Sequence, residues 1–130
     1  MPTTDWERVI AQGAQVPQDV PLSDLTAELT RMLGDPDPHI RDAVAFPTMA
    51  TWISAGVYDD LLMALGDGMC AGLTVGLGES GTDSVFRRSF SALVLAVVRG
   101  QAFEVLVRVL DHHDRRIDHR ADGDRDAAEA

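Results

Sequence analysis

The carboxyl-terminal segment carries the densest set of side chains in this sequence that could bind a metal ion. It reads LDHHDRRIDHRADGDRDAAEA over residues 110–130, and histidine and aspartate are common metal ligands. His112 and His119 are seven residues apart, so a helix would place them on one face. Against such a site, Ile117 is the only large apolar residue after Leu110, and mixed-charge segments are usually solvated. We therefore predict no metal site here.

Other motifs match catalytic patterns without the context that the chemistry needs. The loop GLGESG, residues 76–81, fits G-x-G-x-x-G, but that fingerprint needs a preceding strand and helical patterns flank it here. We expect Cys70 to be a buried, inert thiol, because His39, the one histidine outside the last twenty residues, sits at a turn. The adjacent Asp59 and Asp60 stand at a predicted helix start, where capping explains them. The sequence predicts no catalytic residue, no cofactor and no enzyme activity.

Composition excludes several classes of partner. The chain has 130 residues, a formal net charge of -10, no lysine and no basic stripe in its acidic part, which disfavours nucleic acids and anionic lipids, whose phosphates need cations to neutralise them. Its longest apolar run, 92–98, is far shorter than the roughly 20 residues that span a bilayer, and its start, MPTTDWERVI, is unlike a signal peptide. We expect a cytoplasmic protein that binds neither nucleic acid nor membrane.

Hydrophobic spacing predicts helices throughout residues 1–117, followed by a disordered charged tail over 118–130. The first helix should begin after a Thr4 cap, and the second after a Ser23 cap, ending at Gly34. The apolar positions of these two helices are Trp6, Val9, Ile10, Leu25, Leu29, Met32 and Leu33. About five helices in a single all-α domain follow from this pattern.

The stretch LGDPDPHIRDAVAFP, residues 33–47, predicts a turn followed by a helix start. Asp35 and Pro36 form the turn, Asp37 offers its carboxylate to the first free amide groups, and Pro38 takes the first helical position. Pro47 lies inside the apolar run that follows, and we expect it to kink that helix near residues 43–46.

The remaining predicted helices contain glycines or end at them. A helix from Asp59 contains Gly66, Gly68 and Gly72, which we attribute to close helix packing. A further helix, capped by Asp83, is apolar nearly all round and should end at Gly100. The last helix then presents Phe103, Leu106, Val107 and Leu110 on one face.

Two blocks of sequence repeat at an offset of 46 residues. DPHIRDAVAFPTMA from Asp37 aligns with DSVFRRSFSALVLA from Asp83, and this pairs Arg41 with Arg87. A helix pair with an aspartate-capped second helix bearing an early arginine resembles HEAT or armadillo repeats. Each aspartate stands four residues before its arginine, so we predict two exposed ion pairs of about 0.3 to 0.5 kcal/mol each. In an alternative role, the two arginines grip an anionic ligand.

The blocks DPDPHIRDAVAFPTMATWISAG and FRRSFSALVLAVV, together with their separation, resemble the N-terminal half of a bacterial family known only as a domain of unknown function. The resemblance covers about residues 22–110 and implies an all-helical, HEAT-like fold without implying an activity. Members continue into a second half with Gly-Trp-Ala-His and Ala-His-x-Ala-Asp stretches, which this chain does not contain. No site built from those histidines can be carried over, and a truncated or frame-shifted member is one interpretation.

Solenoids usually need at least three repeats, because each unit buries its apolar face against the next. Only two are visible here, so we expect the face formed by Phe103, Leu106, Val107 and Leu110 to be exposed, either for self-association or because sequence is missing. The sequence favours a non-catalytic helical-repeat domain that contacts an unknown protein partner or itself. The alternatives are a metal-binding protein or enzyme that uses the His/Asp-rich end, and a remnant without autonomous function.

Overall fold

The chain folds as the all-α domain that its hydrophobic spacing predicts. The computed structural model describes residues 4–79 and 81–129, with side chains as far as Ile117 and at Arg120, and all regular structure in this part of the chain is helical. The α-helices are α1 (Trp6–Ala11), α2 (Leu22–Met32), α3 (Phe46–Ser54), α4 (Leu62–Gly72) and α5 (Ser84–Glu129). A π-helical segment, His39–Ala45, leads directly into α3, and a 3-10 turn, Asp59–Leu61, leads into α4. The predicted all-α class with about five helices is confirmed, and its repeat character stays a prediction.

The core lies where α1, α2, the π-helical segment and α3 pack together, and it continues to the contacts of α3 and α4 with the first half of α5. Trp6 and Trp52 approach with ring centroids 6.0 Å apart. Both indole N–H groups have partners, because Trp52 donates to the Ala14 carbonyl at 2.7 Å and Trp6 donates to the Glu28 carboxylate at 3.0 Å. The largest fully buried apolar side chains are Trp52, Leu25, Leu29, Leu33, Met49, Ile53, Met69 and Val94.

The first two helix starts differ from the predicted caps. Asp5, not Thr4, accepts the Arg8 amide at the start of α1, and the Thr4 hydroxyl instead donates to Glu28 at 3.0 Å. Ser23 lies inside α2, which begins after Pro21 without a side-chain cap. A buried carboxylate competes for the threonine hydroxyl more strongly than one exposed amide does, because its two oxygens must be hydrogen-bonded.

Pro47 changes the helix type before it. The chain forms π-helical turns over His39–Ala45, and the Phe46 amide donates to the Arg41 carbonyl, five residues back. Because proline has no N–H and its ring crowds the carbonyl four residues earlier, an unchanged α-helical ladder cannot pass this point. The wider π turns resolve that conflict at the place where the sequence predicted a kink.

Arg41 and Arg87 converge on the carboxyl end of α2 and the turn that follows it. Arg41 is 8% exposed, donates Nη1 to the carbonyls of Asp35 and Pro36 at 3.0 and 3.2 Å, and places its guanidinium 3.9 Å from the Phe86 ring centroid. Arg87 donates to the Thr30 carbonyl at 2.8 Å, and burial lowers its pKa. The two arginines thus satisfy carbonyls near the carboxyl end of α2, where cations are favoured.

These contacts replace the predicted ion pairs. Arg41 meets the neighbouring Asp42 carboxylate at 3.1 Å, while Asp37 accepts the backbone amide of His39 at 2.9 Å. Asp83 contributes its backbone carbonyl to the Phe86 amide at the start of α5. Carbonyls brought close by the tertiary fold outcompete an exposed carboxylate one helical turn away, because a partly buried arginine must satisfy its donors locally.

Gly100 does not end a helix. The structure has one continuous α5 from Ser84 to Glu129, so the predicted break and the separate last helix are wrong. A glycine inside a helix costs only about 1 kcal/mol relative to alanine, and the neighbours Val98 and Gln101 are both buried on the core side. The backbone of 118–129 continues this helix, and the predicted disorder of 118–130 in solution stays a prediction.

Of the three glycines in α4, Gly72 marks the closest helix approach. A Cβ added at Gly72 would lie 2.2 Å from Ser91 Oγ on α5, whereas one at Gly68 would meet nothing within 4 Å. Ser91 is fully buried and its hydroxyl has no hydrogen-bond partner in the part of the chain that the structure describes. Close packing therefore explains Gly72 and does not explain Gly68.

We predict that Arg41→Met destabilises the fold by about 2 to 4 kcal/mol, because it removes charge-assisted hydrogen bonds and the cation–aromatic contact. Chemical denaturation measures the change. Arg8→Met, on the exposed side of α1, is the control and should shift stability by less than about 0.5 kcal/mol. Equal losses in both variants would contradict the role given to Arg41.

We predict opposite effects of alanine at two glycines of the same helix. Gly72→Ala should cost about 1 to 3 kcal/mol through overpacking against Ser91, while Gly68→Ala should stabilise by up to about 1 kcal/mol through helix propensity. Thermal unfolding of both variants tests this. A Gly72→Ala, Ser91→Ala double variant should recover part of the loss, and no recovery would show that the clash lies elsewhere.

Candidate functional site

The residues predicted as an interaction face form an exposed apolar stripe on α5. Phe103, Leu106, Val107 and Leu110 are 65%, 54%, 44% and 56% exposed, and we call these four side chains the outer face. At about 100° per residue, Phe103 and Leu110 lie roughly 180 to 200° round the helix from Gln101. The outer face therefore points away from the domain.

The opposite side of this stretch is braced to the domain through Asp59. Gln101 donates Nε2 to Asp59 Oδ1 at 2.8 Å, and Arg108 Nη2 lies 3.6 Å from Asp59 Oδ2. Asp59 belongs to the 3-10 turn before α4, so the brace connects α5 beyond Gly100 with the element beneath it. The brace fixes which side of the helix is outward.

Charged residues flank the outer face along the helix. Arg99 precedes it and Asp114 follows it, and both are exposed. Asp111 and Arg115 form an i,i+4 pair at 3.0 Å, which supports the helix modestly. Between Arg99 and Asp114, the outer side of the helix carries large apolar side chains.

The His/Asp-rich end shows no assembled metal centre in the described residues. No group of three or more ligand-type side chains is found in that part of the chain, and His112 and His113 are exposed on α5. The side chains of Asp118 and His119 lie outside the described residues, so the pairing of His112 with His119 is not placed. His112 lines an open recess of about 320 Å³ beside Asp59 and Arg108, and no third ligand-type side chain is among its lining residues.

Three other motifs resolve into structural features. The GLGESG loop connects α4 to α5 and is held by Arg88, which donates to the carbonyls of Val75 and Gly76 at 2.8 and 3.0 Å. Cys70 is exposed, so the predicted buried thiol is wrong, because Met69 and Gly72 are the residues of that turn that face inward. Arg41 and Arg87, the two arginines that the sequence aligns, already donate to backbone carbonyls, and Arg41 is too buried to grip a ligand.

A cleft between α2 and α4 was missed by the sequence reasoning. It encloses about 520 Å³ above Tyr58, whose hydroxyl lies 2.7 Å from that of Thr26, and burial raises the pKa of Tyr58. Its lining includes Leu22, Leu61, Leu65 and Met69, and Arg31 is the one charged residue in that lining. The lining also carries the hydroxyls of Ser23, Thr26, Thr30 and Tyr58, but no histidine or carboxylate stands among the lining residues to activate one. The cleft forms because α2 and α4, which are distant in sequence, lie side by side, so no local sequence pattern predicts it.

The length of α5 raises the question of a membrane span. Within Ser84–Ile117 an 18-residue window has a mean hydropathy of 1.7, and by length and composition alone this helix could cross a membrane. The core helix of a soluble protein passes the same test. Such a helix is mostly buried, however, and only 22% of this window is buried. The finding is weak support for a membrane role.

No protein-family model matches the chain, and neither the curated proteins nor the solved structures give a match.

His39 is held by an acidic partner rather than poised as a base. Its Nε2 contacts the Glu7 carboxylate of α1. The hydrogen bond to Glu7, with the charges of Glu7 and Asp37, raises the pKa of His39. The contact thus links α1 to the start of the π-helical segment.

We predict that Glu7→Gln lowers the pKa of His39 toward its ordinary value, measured by NMR titration of the imidazole. Because the folded pKa is raised, the stabilising contribution is fully present below the unfolded pKa and is lost as pH rises through the folded pKa. Glu104→Gln on α5 is the control and should leave the titration unchanged. The same pKa for His39 in wild type and Glu7→Gln would contradict the contact.

Proposed function

We propose that this chain is a non-catalytic helical-repeat domain that binds protein through the outer face of α5. The observation that carries the proposal is the exposure of four large apolar side chains in one stripe, on a helix braced so that the stripe faces outward. Contiguous apolar patches of this kind on soluble proteins commonly mark interaction sites. Helix-on-helix packing is the mode that such a stripe suits.

The repeat interpretation has support in the two matched arginines. Arg41 and Arg87 stand 46 residues apart and both donate Nη1 to backbone carbonyls of the segment that ends α2. Repeated units would place Arg87 at the end of α4, where Arg88 donates to the carbonyls of Val75 and Gly76 instead, so the repeat interpretation rests on the 46-residue spacing of the two arginines. In a solenoid, the last unit must be covered by a cap or by another helix, and the outer face is where that cover would pack.

Protein is a better fit than lipid for this helix. A membrane-crossing α5 would carry the charges of Arg99 and Glu104 and the polar amide of Gln101 inside its apolar window, and each such charge costs several kcal/mol. It would also have to give up Val94 and Val98, which are buried in the core. These observations favour a soluble interaction surface.

The experiment is the solution mass of wild type and of a Phe103→Glu, Leu106→Glu variant, by size-exclusion chromatography with light scattering. We expect wild type to form species heavier than the 14.1 kDa chain and to bind a hydrophobic dye. The variant should be monomeric with unchanged helix content, because the substitutions place charge on the outer face alone. Metal titration of wild type addresses the alternative that uses His112 and His119.

A wild-type chain that stays monomeric at about 100 µM, where pairing with a dissociation constant of that order would be visible, and that binds no more dye than the variant would contradict the proposal. Unfolding of the variant would show instead that the outer face is part of the domain core. Broad aggregates of wild type that the variant abolishes would still implicate the outer face and would favour an incomplete solenoid.

A further inference from the structure

We infer that the protein that covers the outer face is a second copy of this chain, with the two α5 helices packed antiparallel about a two-fold axis. The inference rests on the proposed function and specifies its partner. It comes from the order of residues along the exposed side of α5. It requires no change in the domain, because the Asp59 brace leaves that side free of every element that the structure describes.

The spacing of the residues along the exposed side of α5 is the same in both chain directions. From Arg99 to Asp114 the intervals are four, three, one, three and four residues, symmetric about the point between Leu106 and Val107. The residues in order are Arg99, Phe103, Leu106, Val107, Leu110 and Asp114. Only the ends differ in character, since one is a cation and the other an anion.

An antiparallel pair centred on that point matches each residue with a complement. Phe103 of one copy comes level with Leu110 of the other, and Leu106 meets its own equivalent across the axis, as isologous interfaces require. Arg99 comes level with Asp114 of the second copy, at both ends of the interface. The matched segment is about 22 Å long at 1.5 Å per residue.

The opposite arrangement is disfavoured by the same charges. In a parallel pair in register, Arg99 would face Arg99 and Asp114 would face Asp114, which places like charges together. An antiparallel pair also sets the two helix dipoles in opposition, which is favourable. Ala96 and Ile117 extend the symmetric spacing by three residues on each side, and the small alanine lets the helices approach.

The decisive experiment is a charge swap, read by sedimentation equilibrium at low salt. Arg99→Asp and Asp114→Arg should each weaken dimerisation about 3- to 10-fold, since two weak ion pairs per dimer become repulsive. The double variant Arg99→Asp, Asp114→Arg should recover the wild-type constant to within about 2-fold, because each copy then supplies the complement of the other. Arg116→Asp is the control for charge alone and should change the constant less than either single variant.

Disulfide trapping tests the register independently. In a Cys70→Ser background, Phe103→Cys mixed with Leu110→Cys should cross-link faster under mild oxidation than either variant alone. Leu106→Cys should cross-link with itself. Both results follow from the distance that a disulfide can span, about 4.4 to 6.8 Å between Cα atoms.

Each other outcome overturns the inference. A dimer that both single variants weaken and the double variant does not restore excludes this antiparallel register. A monomeric wild type that binds dye through the outer face excludes self-pairing while leaving the proposed function standing, with another protein as the partner. Partition of wild type into neutral phosphatidylcholine vesicles, abolished by Phe103→Glu, would instead assign the outer face to lipid and contradict both.

Discussion

The fold depends on how a single buried cation is satisfied. A guanidinium removed from water must recover its lost hydrogen bonds and charge stabilisation from the protein, and Arg41 does so from two carbonyls, one carboxylate and the faces of Phe86 and Phe90. The two aromatic rings stand four residues apart on α5, one above the other. Arg41 therefore joins the turn after α2 to the first turns of α5, although about 45 residues separate Arg41 from Phe86.

The π-helical segment connects that contact to the rest of the core. Pro47 prevents a regular helix before α3, and the wider turns that result lie directly after the turn that Arg41 holds. α3 then presents Met49, Trp52 and Ile53 to α1 and α2. Pro47 would break an isolated, exposed helix. Here the chain stays helical on both sides of it, because the packing of the surrounding residues stabilises the helix by more than one missing hydrogen bond costs.

Local pattern was enough to predict the helical class, the turn at Asp35 and Pro36, and the outward stripe of α5, because each of these follows from periodicity or from proline chemistry. It failed where the answer depends on distant residues. Thr4 bonds to Glu28 rather than capping α1, and Arg87 turns to the Thr30 carbonyl, 57 residues away. Gly100 misled for a different reason: the roughly 1 kcal/mol that glycine costs in a helix is smaller than the packing of the residues beside it. The cleft over Tyr58 has no local signal at all.

The continuity of α5 means that the boundary of cooperative unfolding falls inside a helix rather than in a loop. Up to the Asp59 brace, the amides of α5 share the protection of the core, whereas beyond it each turn is held by its own hydrogen bonds and by whatever covers its apolar side. Gly100 stands close to that boundary, and glycine has the weakest helical preference of any residue except proline. Fraying from the carboxyl end would then stop at a defined place, and assembly on the outer face would extend the ordered unit outward without remodelling the domain beneath.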